Sequence, residues 1–244
     1  LSYSLILDNI KLSLIPKPMN DPLFLLLIIG IPLLSQIVSS QMKQRFVYFS
    51  QKPMPLSGRD AAEQMLLQHG IRDVRIIPAR GQLTDNYNPT DRTVHLSEVV
   101  YGQRSVAAVA VATHEVGHAV QHATGYPFLQ MRSKMVPFLR LSNLAIPVLA
   151  FGGAGISELA GSHTVALLCL LGLGLPALFS IITLPVEFDA SRRALGWLTE
   201  TGLTEGAGGV GAKKALFWAA MTYVVAALGS IVQALAFARM FLKR

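Results

Sequence analysis

SVAAVAVATHEVGHAVQHATG, residues 105–125, combines small apolar residues with a compact group of polar side chains. Only Gly117 interrupts the run before Gly125 ends it, so the sequence predicts a helix of about five turns. The chain has 244 residues, of which 52% are hydrophobic and 14% are charged. In such a chain, two histidines and a glutamate in one apolar run indicate a common role.

The two histidines of this run, His114 and His118, are four residues apart. On a helix both side chains project from one face, about 6 Å apart along the axis, which can bracket one small metal ion. Glu115 lies where it can reach a metal-bound water rather than the metal. This is the HExxH pattern of zinc peptidases, in which the histidines bind Zn²⁺ and the glutamate is the base. His114 and His118 are the predicted zinc ligands, and Glu115 is the predicted catalytic residue.

A catalytic zinc ion usually has three protein ligands and one open position, so a third ligand is needed. His122 lies roughly 12 Å along the axis from His114 and cannot complete the same tetrahedron. A third histidine of the extended motif would fall at position 124, which is Thr124. The other histidines are interpreted as solvent-facing or as part of a turn between membrane spans: His69, His95 and His163.

Glu187 is the predicted third metal ligand. It follows an apolar run in LPVEFDASRRAL, residues 184–195, where Pro185 suits the first turn of a new helix. Two predicted membrane crossings separate it from His118, which returns the chain to the same face and places the site near the membrane surface. The alternative is a solvated carboxylate at a helix start.

The mean hydropathy of +0.46 indicates a membrane protein rather than an ordinary soluble globule. Four segments approach the roughly 20 apolar residues that cross a bilayer. For the second, 141–160, a buried or re-entrant hairpin is the alternative because the segment contains polar residues and glycines. The predicted fold class is a mainly α membrane protein. It has about four transmembrane helices plus a zincin-like helical domain with a small β-hairpin or sheet.

The predicted zincin-like domain holds most of the polar sequence. Ser57 and Gly70 mark the ends of a short helix, and residues 74–78, 83–87 and 92–96 are predicted strands. The predicted order is an N-terminal extension (1–21), transmembrane helix 1 (22–41), the zincin-like domain with the HExxH helix (42–140), transmembrane helix 2 (141–160), transmembrane helix 3 (164–185), a helix with the third zinc ligand and a Gly-rich loop (186–214), and transmembrane helix 4 (215–238).

Charge predicts the orientation. Basic residues cluster near the span ends on the domain side, while the turn from Glu158 to His163 has no Lys or Arg. The predicted location is the cell membrane, multi-pass, with a cytoplasmic catalytic domain. The net charge of +7 is explained by this orientation and anionic lipid, and no pattern indicates nucleic acid. The expected partners are the lipid bilayer and a protein or peptide substrate, membrane proteins included.

The segment LTDNYNPTDRTVHLSEVVYGQRSVAAVAVATHEVGHAVQHATGY, residues 83–126, together with LPVEFDASRRAL resembles the bacterial neutral zinc metallopeptidases of the YugP-like group. The likeness runs from about Met19 to the C-terminus, which makes residues 1–18 an expected upstream extension. The resemblance implies a membrane-anchored protein whose zinc site includes His114, His118 and Glu115.

A more distant resemblance is to HtpX-like and CAAX-processing membrane peptidases, whose glutamate ligand lies in an ExxxD pattern. Glu187 matches that glutamate, but Ser191 stands at the aspartate position. Either Ser191 or the nearby Asp189 is expected to support a ligand histidine through a hydrogen bond.

The predicted function is a membrane-anchored zinc metalloendopeptidase that uses a zinc-activated water and Glu115 as general base. Arg192, Arg193 and Tyr87 are candidates for the group that stabilises the oxyanion, and the strand near 83–87 is a candidate for edge pairing with substrate. Two alternatives stay open. One is a zinc-binding scaffold or chaperone-like membrane protein without turnover. The other is an intramembrane site-2-type protease, for which residues 143–153 lack the required aspartate.

Overall fold

The computed structural model describes residues 22–140, 142, 162–203 and 207–242. This part is mainly helical and contains one small three-stranded sheet. The predicted mainly α class with a small sheet is therefore confirmed. The predicted N-terminal extension, 1–21, lies outside the described residues.

The first helix, α1, runs over Pro22–Ser50 and contains a π turn at Leu26–Gly30. Its apolar side chains point outward rather than into a core, and Ile28, Ile29 and Leu33 are each more than half exposed. Such exposure along a helix of 29 residues fits a hydrocarbon environment.

The second helix, α2 (Gly58–Gln68), begins with a capping box. The Ser57 hydroxyl accepts a hydrogen bond from the Asp60 N–H at 3.1 Å, and the Asp60 carboxylate accepts one from the Ser57 N–H at 3.3 Å. Two otherwise unpaired N–H groups are satisfied by this exchange. Gly70 follows the helix with a φ of 71°, a conformation that glycine adopts without strain. The predicted cap and stop are confirmed.

The sheet consists of β1 (Arg75–Ala79), β2 (Asn86–Asn88) and β3 (Thr93–Ser97), in the order β1-β3-β2. β1 pairs with β3 in parallel, and β2 pairs with β3 antiparallel. β2 starts later than predicted because Leu83 has a φ of 58°, which is incompatible with a strand. β2 is therefore a short strand at one edge of the sheet.

A short helix, α3 (Glu98–Gly102), leads into α4 (Val106–Ala123), which carries the HExxH pattern. The Ser105 side chain caps α4 by accepting the Ala108 N–H at 3.2 Å. Small residues allow neighbours to pack closely on several sides of α4, and 14 of its residues are buried. The predicted helix over 105–125 is confirmed to within two residues.

Helix α5 covers residues 127–140 and precedes the next long helix, α6 (Ser162–Glu200). The predicted helix start at Pro185 is wrong, because Pro185 lies inside α6. Proline removes one backbone donor, but Val186, Ala190 and Ala194 beyond it are fully buried. Packing of this buried face lets the helix continue past the missing hydrogen bond.

The last helix, α7, covers Ala207–Leu242. The predicted loop over the glycine-rich stretch is wrong from Ala207 onward, because Gly208 and Gly211 are helical. A Cβ at Gly211 would lie 2.9 Å from side-chain atoms of both Phe49 and Val106. These glycines therefore serve close helix packing, which offsets their low helix propensity.

Three helices of the described part are long and apolar enough to cross a membrane: Pro22–Ser50, Leu171–Glu200 and Gly208–Ala236. They correspond to the predicted spans 22–41, 164–185 and 215–238. The predicted span 141–160 lies outside the described residues, Ser142 excepted. The structure thus supports three of the predicted spans rather than four.

Candidate metal centre

The two histidines of the HExxH pattern meet Glu187 between α4 and α6. One ligand atom from each of these three residues lies within 4.8 Å of the other two. Glu187 Oε2 is 3.3 Å from His114 Nε2 and 3.7 Å from His118 Nε2. Glu187 is only 1% exposed. Segments 73 residues apart in the sequence thus form one buried cluster.

Gly117 explains how α6 comes so close to α4. A Cβ at this position would lie 2.6 Å from the Ala190 carbonyl oxygen, so only glycine fits this crossing. Ala190 is itself fully buried. Because the backbones touch here, the side chains of Glu187 and Ser191, one turn apart on α6, reach the imidazoles of α4.

His118 is oriented by Gln121. The Gln121 amide nitrogen donates to the Val186 carbonyl at 2.8 Å and to Asp189 Oδ2 at 2.9 Å, which leaves its oxygen facing His118. That oxygen lies 3.0 Å from His118 Nδ1 and can only accept a hydrogen bond. The neutral imidazole therefore carries its proton on Nδ1 and presents an unprotonated Nε2 to the cluster.

Ser191 has the corresponding position at the other histidine. Its hydroxyl is 3.1 Å from His114 Nδ1. Sequence reasoning left Ser191 and Asp189 as alternatives, but both are used. Ser191 contacts His114 directly, whereas Asp189 reaches His118 through Gln121.

Arg132 of α5 holds the second oxygen of Glu187. Its guanidinium donates to Glu187 Oε1 at 3.1 Å, while Oε2 faces the histidines. The two oxygens therefore have separate partners, which fixes the carboxylate rotamer. Arg132 lies outside any motif, and no feature of the sequence indicates its role. Gln121, three residues after His118, could have been found from helical spacing.

Glu115 is 8% exposed and lies beside the cluster. Burial raises the pKa of its carboxyl to about 7, and the charges of Glu187 and Asp85 add to that rise. The charge of His114 and a hydrogen bond from the Tyr87 backbone act in the opposite direction. A carboxyl with this pKa can both accept and release a proton near neutral pH.

The remaining histidines stay outside the cluster. His122 Nδ1 is 2.7 Å from the Tyr87 hydroxyl, and His69 Nδ1 is 2.9 Å from the Met65 carbonyl oxygen. His95 lies in β3. His163 lies in α6, and the 24 helical residues to Glu187 span about 36 Å, too far for ligation.

Three sequence-based candidates for the oxyanion-stabilising group are already occupied by other partners. Arg193 donates to Asp189 Oδ2 at 2.6 Å, and Arg192 forms an ion pair with the same carboxylate. The Tyr87 hydroxyl is engaged with His122. Each of the three side chains therefore already contacts a residue outside the cluster.

A cavity of about 210 Å³ opens beside the cluster. It extends from the β2 edge to α5 and α7, so its wall combines the sheet with the last helix. Its lining includes these charged and polar residues: Asp85, Asn86, Tyr87, Glu115, His118, Arg132, Ser133, Glu187 and Tyr223. The cavity leaves the cluster open to a small chemical group on the side lined by Glu115, His118 and Glu187.

The residues fit a zinc ion. Two imidazole nitrogens and one carboxylate oxygen are a known ligand set of catalytic zinc, with one position left open. Zinc–ligand bonds of about 2.0–2.1 Å in a tetrahedron put neighbouring ligand atoms about 3.3–3.4 Å apart. The two separations between Glu187 Oε2 and the imidazole nitrogens, 3.3 and 3.7 Å, are close to that value, and all three ligand atoms lie within 4.8 Å of one another. The hydrogen bonds on both Nδ1 atoms complete the pattern.

The described residues combine apolar helices long enough to cross a membrane, an HExxH pattern on one buried helix, and a glutamate from a second helix beside both histidines. This arrangement is typical of membrane zinc metallopeptidases. Comparison with known sequences agrees. The chain belongs to the family described as "Putative neutral zinc metallopeptidase", whose model matches residues 24–242. It is 41% identical over 228 residues to the "Putative membrane protease YugP" of Bacillus subtilis (strain 168), covering 90% of this chain and 97% of that relative. No solved structure matches. The predicted family is confirmed.

Proposed function

We propose that this protein is a membrane-anchored zinc metalloendopeptidase that hydrolyses peptide bonds near the membrane surface. The observation that supports this best is the buried cluster of His114, His118 and Glu187, with ligand atoms within 4.8 Å and Glu115 beside them. A structural zinc site would have no use for an additional buried carboxyl that lines an open cavity.

In the proposed mechanism, His114, His118 and Glu187 would hold a zinc ion, which would supply Lewis-acid polarisation of the scissile carbonyl and a water that is nucleophilic near neutral pH. Gln121 and Ser191 hold the imidazoles with Nε2 toward the cluster. Glu115 accepts a proton from the attacking water on its carboxylate oxygen and passes it to the leaving nitrogen.

The cavity suggests how a peptide is bound. Asn86 and Tyr87 line it and belong to β2, an edge strand of the sheet. An edge strand can pair with an extended peptide through its backbone. We infer that the substrate is a protein or peptide segment that reaches the cavity in extended form.

We also propose a multi-pass protein with the zincin-like domain in the cytoplasm. Lys43 and Arg45 follow the apolar part of α1, and Lys213 and Lys214 precede that of α7, so all four lie at the domain side. A cysteine introduced at Lys213 should react with a membrane-impermeant reagent in inside-out vesicles. Labelling in intact cells instead would contradict this orientation.

The replacement Glu115→Gln tests the catalytic role. We expect peptide hydrolysis to fall about 10²–10⁴-fold because the general base is lost, while zinc content stays at one ion per chain. Cleavage of a denatured protein substrate and metal analysis measure the two effects. Glu63→Gln, which changes an exposed glutamate of α2, is the matched control.

The same experiment separates the alternatives. A scaffold without turnover would show no difference between wild type and Glu115→Gln, and that result would refute the proposed enzyme. A site-2-type protease needs an aspartate ligand, whereas the third residue of the described cluster is Glu187.

A further inference from the structure

Peptide hydrolysis requires a hydrogen-bond donor to the scissile carbonyl oxygen, because this oxygen gains negative charge when water adds to the carbonyl carbon. One preorganised hydrogen bond at this position typically contributes about 10²–10³ in kcat. The candidates taken from the sequence are engaged elsewhere. The donor must therefore be sought among the other side chains that line the cavity.

Most donors of the cavity wall are already hydrogen-bonded within the described residues. Asn86 Nδ2 donates to the Thr84 carbonyl at 2.9 Å, and the Ser133 hydroxyl donates to the Leu129 carbonyl at 2.9 Å. Arg132 donates to Glu187 Oε1 at 3.1 Å and fixes that carboxylate. Turning Arg132 toward a substrate would release the Glu187 carboxylate that it fixes, and the Ser133 hydroxyl is held by a carbonyl of its own helix.

Tyr223 differs from these residues. It lies on α7, lines the same cavity and is 37% exposed. Its hydroxyl hydrogen-bonds to the Glu187 carboxylate, and Glu115 and Arg132 line the same cavity. A phenol O–H is a single donor that can rotate from a carboxylate to a nearby oxygen without moving the backbone.

We propose that Tyr223 is a catalytic residue, whose hydroxyl donates a hydrogen bond to the scissile carbonyl oxygen in the transition state. This inference rests on the proposed peptidase function. Tyr223 keeps its proton throughout. Water adds its oxygen to the carbonyl carbon, the C–N bond breaks, and Glu115 carries the water's proton to the leaving nitrogen. The active site would then need a residue from the last membrane helix.

The test compares wild type, Tyr223→Phe and Tyr48→Phe in the full-length, zinc-loaded protein. Tyr48 is an exposed tyrosine of α1 and serves as the matched control. Tyr223→Phe should lower kcat about 10²–10³-fold with KM changed by less than about threefold, because the lost hydrogen bond forms only in the transition state. Zinc content should stay unchanged. Tyr223→His, which retains a donor, should recover part of kcat.

A second readout does not depend on turnover. A phosphinic peptide carries a tetrahedral centre with an anionic oxygen, so its affinity should fall in Tyr223→Phe by a factor similar to the fall in kcat. Affinity for a cleaved product peptide should stay the same. Equal phosphinic-peptide binding by wild type and Tyr223→Phe would overturn the assignment, and so would loss of zinc from Tyr223→Phe. Absence of cleavage by wild type would instead contradict the peptidase function, and the binding comparison would still decide the role of Tyr223.

Discussion

Glu187 and Asp189 lie two residues apart on α6, and both are buried, at 1% and 6% exposed. Their surroundings differ. Asp189 is saturated by donors: Gln121, Arg192 and Arg193 all donate to it. Glu187 has Arg132 on Oε1 and the Tyr223 hydroxyl as a further partner, while its Oε2 faces two imidazole nitrogens that have unprotonated tautomers available.

This difference shows what makes a buried carboxylate a candidate ligand. A metal ion needs an electron pair that no protein donor already uses, and only Glu187 of these two residues offers one toward other ligand atoms. Asp189 instead transmits its charge through Gln121 to His118. Helix α6 thus supplies both a candidate metal ligand, Glu187, and a residue that supports a ligand histidine, Asp189.

The largest expected effect is that of Glu187→Gln compared with Asp189→Asn. Glu187→Gln keeps an oxygen for Arg132 but replaces the charged ligand, so zinc affinity should fall by more than about 100-fold, above the range for supporting residues. Asp189→Asn should cost about tenfold. Isothermal titration of the metal-free proteins measures both. Equal losses would mean that the two carboxylates do not have distinct roles.

Gln121→Leu should have the next largest effect. His118 loses the group that fixes its tautomer, so zinc affinity should fall about 10–100-fold. The Val186 carbonyl and Asp189 lose a buried donor, so the free energy of unfolding should fall by about 1–3 kcal/mol. Urea unfolding measures this loss. Gln130→Leu, at an exposed position of α5, is the control and should change neither quantity.

Ser191→Ala should have a smaller effect, because it removes one hydrogen bond of 3.1 Å to His114 Nδ1. A loss of about 1 kcal/mol corresponds to a fewfold decrease in zinc affinity. Metal competition with a chromogenic chelator can resolve such a change, with Ser50→Ala as the control. A loss beyond 100-fold would place Ser191 among the ligands rather than beside one.

Asp60→Ala removes a carboxylate remote from the cluster, and we expect it to have the smallest effect of the series. The pKa of Asp60 lies below 3.8, chiefly because the Ser57 side chain hydrogen-bonds to its carboxylate, and the Ser57 N–H donates to the same carboxylate. Since the folded-state pKa is lowered, the stabilisation is present above 3.8 and is lost as the pH falls through the folded value. Replacement should cost up to about 1 kcal/mol at neutral pH, reduced by solvent exposure, and nothing at low pH. Zinc affinity should be unchanged, which metal titration checks.

Much of the site could be predicted from local pattern. The spacing of His114 and His118 fixes their common face on any helix, and the apolar run around them predicts that helix. Glu187 was reachable because chain topology restricted where a third ligand could return. The capping box at Ser57 and Asp60 is likewise a local signal.

The remaining features depend on long-range packing that no local pattern reports. Pro185 has the residue type of a helix start, yet buried neighbours carry α6 through it. The glycines after Ala207 have low helix propensity, but Phe49 leaves space only for glycine at position 211. Arg132 and Tyr223 reach the site from helices whose placement is determined by tertiary contacts.

The cluster takes its groups from two helices of the chain, α4 and α6, at positions 73 residues apart, and α6 includes an apolar stretch long enough to cross a membrane. A cation bound there would link α4 to α6 through three ligand bonds. Because the unfolded chain does not hold such a site preformed, metal binding would raise the free energy of unfolding. Removal of the metal by a chelator would then weaken the contact between α4 and α6. The supply of metal would thus determine the free energy of unfolding as well as peptide cleavage.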